Sequence, residues 1–300
     1  TTTIITINDD KMEESEKKVI VANLKSYIER YPSQNKAAGS LEGISAGTLS
    51  SMINGNWSRI SDAMWTKVAE QVKPTGSASA TGWTIVETGA YQEISYAMQD
   101  AQEYMNVTWI VGEAGCGKTT TGRLYAEGHK EAFYILCSED MLKGEFVRTI
   151  ARKLGIRSEG YTVRELWQEI IDSIIQMESP LIIFDEADKL PESVFQYFIS
   201  MYNNLEDRCG VVFLSTDYIK RRISNGLRYG RKGYKEIFSR IGRKYFDLEP
   251  TSAQDVYAIC TANGITSRED IDKIIKEGDG YDFDLRRVKK SVHRMKRVKE

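Results

Sequence analysis

The stretch VTWIVGEAGCGKTT, Val107–Thr120, decides the fold. It begins as a short apolar run of strand type, turns through glycines, and becomes helical from Lys118. The turn GEAGCGKT (Gly112–Thr119) satisfies the pattern G-x-x-x-x-G-K-[ST] with a strand before it and a helix after it. In that setting the pattern builds a phosphate cradle. Glycines let backbone N–H groups converge on phosphate oxygens, and the helix N-terminus adds favourable dipole charge. Nucleotide binding is therefore assigned to Gly112, Glu113, Ala114, Gly115, Cys116, Gly117, Lys118, Thr119 and Thr120. Lys118 is placed to reach the β- and γ-phosphates of ATP, and the Thr119 hydroxyl to ligate Mg²⁺.

A second motif completes the first. In LIIFDEAD (Leu181–Asp188) four apolar residues form a buried strand, and Asp185 emerges at its end as the metal-shell carboxylate. Glu186 follows, able to polarise an attacking water, which favours hydrolysis over simple binding. The next apolar run, VVFLSTD, ends in Ser215 and Thr216. Thr216 is the choice for sensing the γ-phosphate or orienting the water, although either residue could equally cap the strand. Runs such as AFYILC (Ala132–Cys137), alternating with the helical stretches that end at Gly155 and begin at Thr162, predict an α/β fold with a parallel sheet sandwiched by helices.

Working outward, PTGSASATG (Pro74–Gly82) is small and polar and marks a linker over 74–88. The expected units are an all-α region over 1–73, the nucleotide-binding core over 89–249, and a small helical lid over 250–300. Residues 1–10 read as an arm. The chain is 41% hydrophobic with a net charge of −2, enough for a sizeable core. Its cysteines (Cys116, Cys137, Cys209, Cys260) are dispersed, which argues against a disulfide framework or structural zinc and fits a reducing cytoplasm. No apolar run is long enough to span a bilayer. Basic charge gathers in two places. Lys220–Lys244 holds ten Lys/Arg and one acid, and Arg286–Lys299 holds eight Lys/Arg and none.

In the N-terminal region, NKAAGSLEGISAGTLSSMINGNW (Asn35–Trp57) looks like a helix-turn-helix of the phage-repressor kind. Gly39 is read as the small residue where the two helices cross, and Gly43 as the turn. Ile44, Leu49 and Met52 have the spacing that packs helix on helix. The second helix offers Thr48 and Ser51 to DNA but carries no Lys or Arg, so the usual electrostatic grip is missing.

Taken together, the motifs resemble the AAA+ ATPases over roughly Tyr91–Val298: DEAD after the strand, a polar end to the next strand, FSRIGRK (Phe238–Lys244) and DFDLRRV (Asp282–Val288). The resemblance implies that Arg240, with Arg243 as understudy, reaches a neighbouring subunit's ATP. It likewise implies that Arg286 contacts the γ-phosphate from the lid of the same subunit. Within AAA+ the chain is similar to the transposition target-selector ATPases, the Mu B-like group, which also pair a helix-turn-helix with the module. That likeness implies Lys143, in K-x-x-F (Lys143–Phe146), and Thr162 as contacts to DNA backbone, although Thr162 serves equally as a helix cap. It further implies duplex DNA as a largely sequence-independent partner, self-association into a ring or helical filament, and a transposase as recipient. A replication or helicase-loading ATPase would share every ATP motif. An ATP-gated regulator binding one operator is the other alternative.

Overall fold

A computed structural model describes residues 12–74, 82–195 and 197–297. The expected arm and most of the glycine-serine stretch lie outside them.

Four helices make the N-terminal unit: α1 (Glu14–Glu29), α2 (Gln34–Ser40), α3 (Ala46–Ile53) and α4 (Asp62–Val72). Serines start three of them. The side chains of Ser33, Ser45 and Ser61 accept from the backbone N–H groups of Lys36, Thr48 and Met64, satisfying donors that have no partner inside the helix. Leu24, Leu49, Met52, Trp65 and Val68 are fully buried and form the core of the unit. Gly43 takes the left-handed conformation that the α2–α3 turn requires, at φ +66°.

The expectation for Gly39 is corrected. A Cβ on Gly39 would stand 2.3 Å from the carbonyl oxygen of Gly155, and one on Gly155 would stand 1.8 Å from that of Lys36. The small residue is needed where α2 meets the α/β core, because two backbones touch there. Glu131 N–H donating to Arg30 O (3.2 Å), Lys36 Nζ donating to Ser173 Oγ (3.4 Å) and Tyr31 against Phe133 extend the same contact. Gly155→Ala is therefore expected to destabilise the protein clearly more than Gly160→Ala. Both glycines have positive φ, but only Gly155 faces backbone, whereas nothing lies within 4 Å of a Cβ on Gly160. Strain alone costs roughly 1 kcal/mol. Equal shifts in thermal midpoint for the two variants would mean that the contact is loose.

Beyond the N-terminal unit, α5 (Gly89–Tyr104) leads into β1 (Val107–Val111) and α6 (Lys118–Gly128). There follow β2 (Ala132–Leu136), α7 (Lys143–Lys153), α8 (Val163–Ile175), β3 (Leu181–Asp185), α9 (Glu192–Phe195) and α10 (Tyr197–Leu205). Next come β4 (Gly210–Ser215), α11 (Tyr218–Arg228), α12 (Tyr234–Arg240) and the short β5 (Phe246–Asp247). The lid is α13 (Ala253–Ala262), α14 (Arg268–Asp279) and α15 (Leu285–Arg297). The strands pair in parallel in the order β2-β3-β4-β1-β5. Their continuous apolar runs are explained by helices on both faces. Ile110, Leu181, Ile183, Val212 and Leu214 point to α5 and α6, while Trp109, Ile182, Phe184, Val211 and Phe213 point to the opposite layer. On that second face Trp109, Phe213, Phe184 and Phe146 stack in sequence, with centroids 4.3, 5.4 and 5.6 Å apart.

The segment expected to be a spacer is not one throughout. Thr84 exchanges two backbone hydrogen bonds with the Asn263 side chain (2.8 and 2.9 Å), and Val86 packs into the lid core. Residues 83–88 thus belong to the lid-facing wall of the core. Among the described residues, no helix is long and apolar enough to cross a membrane.

Candidate functional site

Parallel pairing brings three strand ends to one edge. Val111 is in register with Ser215, and Asp185 with Leu214, so the glycine turn, Asp185-Glu186 and Ser215-Thr216 emerge side by side. They open on a cleft of about 620 Å³, within the usual range for a ligand site.

The cradle is built by backbone. Gly117 sits at φ +105°, which a Cβ would oppose, and it starts α6 without any side-chain cap. The first N–H groups of α6 are therefore left for an anion. Lys118 is buried and donates to the carbonyls of Gly112 (2.8 Å) and Glu113 (2.9 Å), which hold the ammonium over the turn. Ala114, Gly115, Gly117, Thr119 and Thr120 line the cleft with it, whereas Gly112, Glu113 and Cys116 do not. A Cβ on Gly112 would strike Leu248, and one on Gly115 would strike the Asp284 carboxylate. Protein packing, as much as phosphate approach, demands glycine at these two positions.

Asp185 is fully buried. It accepts from the Tyr134 hydroxyl (2.6 Å) and from the Glu186 N–H (3.0 Å). Burial first, then the Asp185 charge, pushes the Tyr134 phenol well above its ordinary range, so it remains a donor. Glu186 stands at φ +54°, and its carboxylate accepts from Lys189 Nζ at 2.9 Å. Thr216 lies on the cleft wall, but its hydroxyl hydrogen is given to Asp188 Oδ2 (2.7 Å). Ser215 is buried and receives the Trp109 indole N–H. Thr216 is thus the more available of the pair, with its lone pairs free to accept from a water.

The lid closes one side. Leu285 N–H donates to Gly115 O (3.1 Å), tying the start of α15 to the turn and putting Arg286 and Lys289 on the cleft wall. Ile85, Val86, Ile259 and Leu285 add an apolar surface suited to a nucleobase. A strand-end carboxylate and the Thr119 hydroxyl lining one cleft, an uncapped helix start and a buried ammonium match the groups that a magnesium nucleotide needs. ATP and Mg²⁺ therefore fit. Thr119 and Asp185 would hold the metal, which supplies charge neutralisation between phosphate oxygens.

The remaining expected residues stand apart from this cleft. Arg240 donates to Asn203 Oδ1 (2.6 Å) and lies over the Tyr202 ring, and Arg243 is exposed at φ +57°. Neither lines the chain's own pocket. Lys143 is the exposed first residue of α7, and Thr162 caps α8 in a capping box with Glu165. A Cβ on Gly144 would touch Val163, so these two helix starts are neighbours. Thr48 and Ser51 are half-buried on α3. Sequence reasoning missed Tyr134, Asp188 and Lys189, each of which grips a proposed catalytic group. It also missed residues 83–88, where an aromatic and β-branched run after a glycine-serine stretch was the available signal.

Comparison with known proteins agrees with this arrangement. Residues 101–223 match the family model described as AAA domain. The parallel sheet, glycine turn and flanking helices have the architecture of an AAA+ P-loop fold. Among solved structures, the Aeropyrum pernix Orc1 protein in complex with DNA is similar in fold, with a TM-score of 0.51 at 15% identity. The match covers 66% of this chain and 56% of that one, so this chain spans little more than half of that protein. No curated protein sequence matches the chain.

Proposed function

We propose that this chain is an AAA+ ATPase that assembles on duplex DNA and delivers that DNA to a transposase. The observation that supports the reading is the combination of the phosphate-cradle cleft with a separately cored four-helix N-terminal unit, which we read as a helix-turn-helix, on one chain. In this scheme Lys118, Thr119 and Asp185 bind magnesium ATP, Glu186 polarises the attacking water, and Thr216 accepts a hydrogen bond from that water. Arg286 reaches the γ-phosphate from the lid. Arg240 lies off its own cleft with its side chain only 19% exposed, held by Asn203 and Tyr202 in one direction. That arrangement suits a finger offered to the next subunit, with Arg243 beside it. A planar, preorganised guanidinium is the right group for that task. Head-to-tail contact of this kind propagates into rings or helices, and hydrolysis would release the assembly from DNA.

Sequence-tolerant grip comes from phosphate contacts repeated on every subunit. Lys143 and Thr162 at adjacent helix starts are the proposed track, with Thr48 and Ser51 as additional contacts. Lys143→Ala should weaken binding about equally on two unrelated duplexes and flatten the salt dependence, by about one unit of slope for each phosphate no longer gripped. Deleting residues 1–76 should cost less. If Lys143→Ala binds like wild type while the truncation loses binding, the grip lies in the helix-turn-helix. An operator-binding regulator then becomes the better reading.

A further inference from the structure

A second concave surface lies where the helix-turn-helix unit meets the edge of the sheet. This groove, of about 520 Å³, is lined by Arg30, Lys73, Arg123, Arg152 and Lys153, with Glu42 and Glu127 as its acids. Five cations against two carboxylates is a strong local excess in a chain whose net charge is −2. The cations come from both units: Arg30 from the end of α1, Lys73 from the end of α4, Arg123 from α6, and Arg152 and Lys153 from the end of α7. The ion pairs Lys17–Asp62, Lys220–Asp247 and Arg294–Glu277 all lie outside this groove.

Two of the guanidinium groups stack on aromatic rings. Arg30 lies over the Tyr27 ring at 4.7 Å and Arg123 over the Tyr134 ring at 5.3 Å. Stacking fixes a guanidinium plane while leaving N–H edges to project. The Nε of Arg30 is buried without a hydrogen-bond partner. Lys153 is exposed on the groove surface, and partial desolvation of its ammonium, then the charges of Arg152, Arg123 and Arg30, hold it below the ordinary lysine range. Glu127 pulls the other way. Like charges brought together across a domain boundary are costly until an anion joins them, and multiply charged phosphate best matches forked donors.

We infer that this groove is a phosphate-binding site, distinct from the ATP cleft, that takes either the backbone of duplex DNA or a free polyphosphate. The DNA arm rests on the DNA-associated reading above, because the groove includes Ser40–Glu42 of the turn that leads into α3. The polyphosphate arm does not.

The test uses the full-length protein with its ATP cleft filled by saturating ADP. Arg152→Gln/Lys153→Gln removes two cations from the core side, and Lys73→Gln removes one from the helix-turn-helix side. Lys25→Gln/Arg157→Gln, exposed and outside the groove, is the charge-matched control. On a short duplex, the groove double variant should reduce the salt slope by about two units, Lys73→Gln by about one, and the control by none. Inorganic tripolyphosphate, followed by calorimetry, separates the sources. Loss of tripolyphosphate binding in the groove variants with unchanged DNA slopes assigns the site to a free anion. If wild type binds no duplex at all, the DNA reading fails while the tripolyphosphate arm still decides the groove. Unchanged DNA slopes together with no tripolyphosphate binding to wild type, or with binding that the groove variants keep, would overturn the site.

Discussion

Lys118→Ala is expected to weaken ATP binding by roughly 100-fold, the scale of losing a charge-assisted contact in a water-poor site. Two effects add. The variant removes the one buried ammonium of the cradle, and it frees the carbonyls of Gly112 and Glu113 that this ammonium now ties together at 2.8 and 2.9 Å. Gly112 remains anchored from the other side, its N–H donating to Ser215 O at 3.2 Å, so the strand end should hold while the turn loosens. Titration with a fluorescent ATP analogue measures the loss. DNA retention that depends on ATP should disappear with it. Undiminished affinity would mean that ATP binds somewhere other than this cleft.

Glu186→Gln should separate binding from turnover. The substitution preserves shape but cannot take a proton from water, so hydrolysis should fall at least ~100-fold, the size of a typical general-base contribution. ATP affinity should stay near wild type, because Asp185 is held by Tyr134 and by the backbone of residue 186, neither of which uses the Glu186 side chain. The Lys189 pair costs little to break. Its partners are 43% and 39% exposed, and such surface pairs are worth about 1 kcal/mol or less. Phosphate release and ATP binding measured on the same preparation would decide it. Wild-type turnover in this variant would move the base elsewhere, and the variant should otherwise persist on DNA.

Several of these features were legible in one dimension. Gly112–Thr119, Asp185 and Glu186 lie within a few residues of a strand end, and their chemistry is local: glycine dihedrals, an uncapped helix start, a carboxylate after an apolar run. The parallel sheet followed from uninterrupted apolar strands, since only burial on both faces tolerates them. The helical character of the N-terminal and C-terminal regions showed in their helical period. Reading Gly39 as part of the α2–α3 crossing assumed that its close neighbour was also local, and that was the error.

What only the tertiary structure decided depends on partners far apart in the chain. Tyr134 reaches Asp185 across neighbouring strands, Asp188 claims the hydroxyl of Thr216, and Gly39 meets Gly155 across a domain boundary. Trp83–Thr88 became a cleft wall because the lid folded back onto it. The basic groove joins five residues from four helix ends or faces, none of which forms a motif in sequence. Backbone conformation and strand burial are written residue by residue, so the ATP turn and its strand could be read directly. Contacts that depend on how separate elements pack carry no local periodicity, and the chain has to fold before they exist.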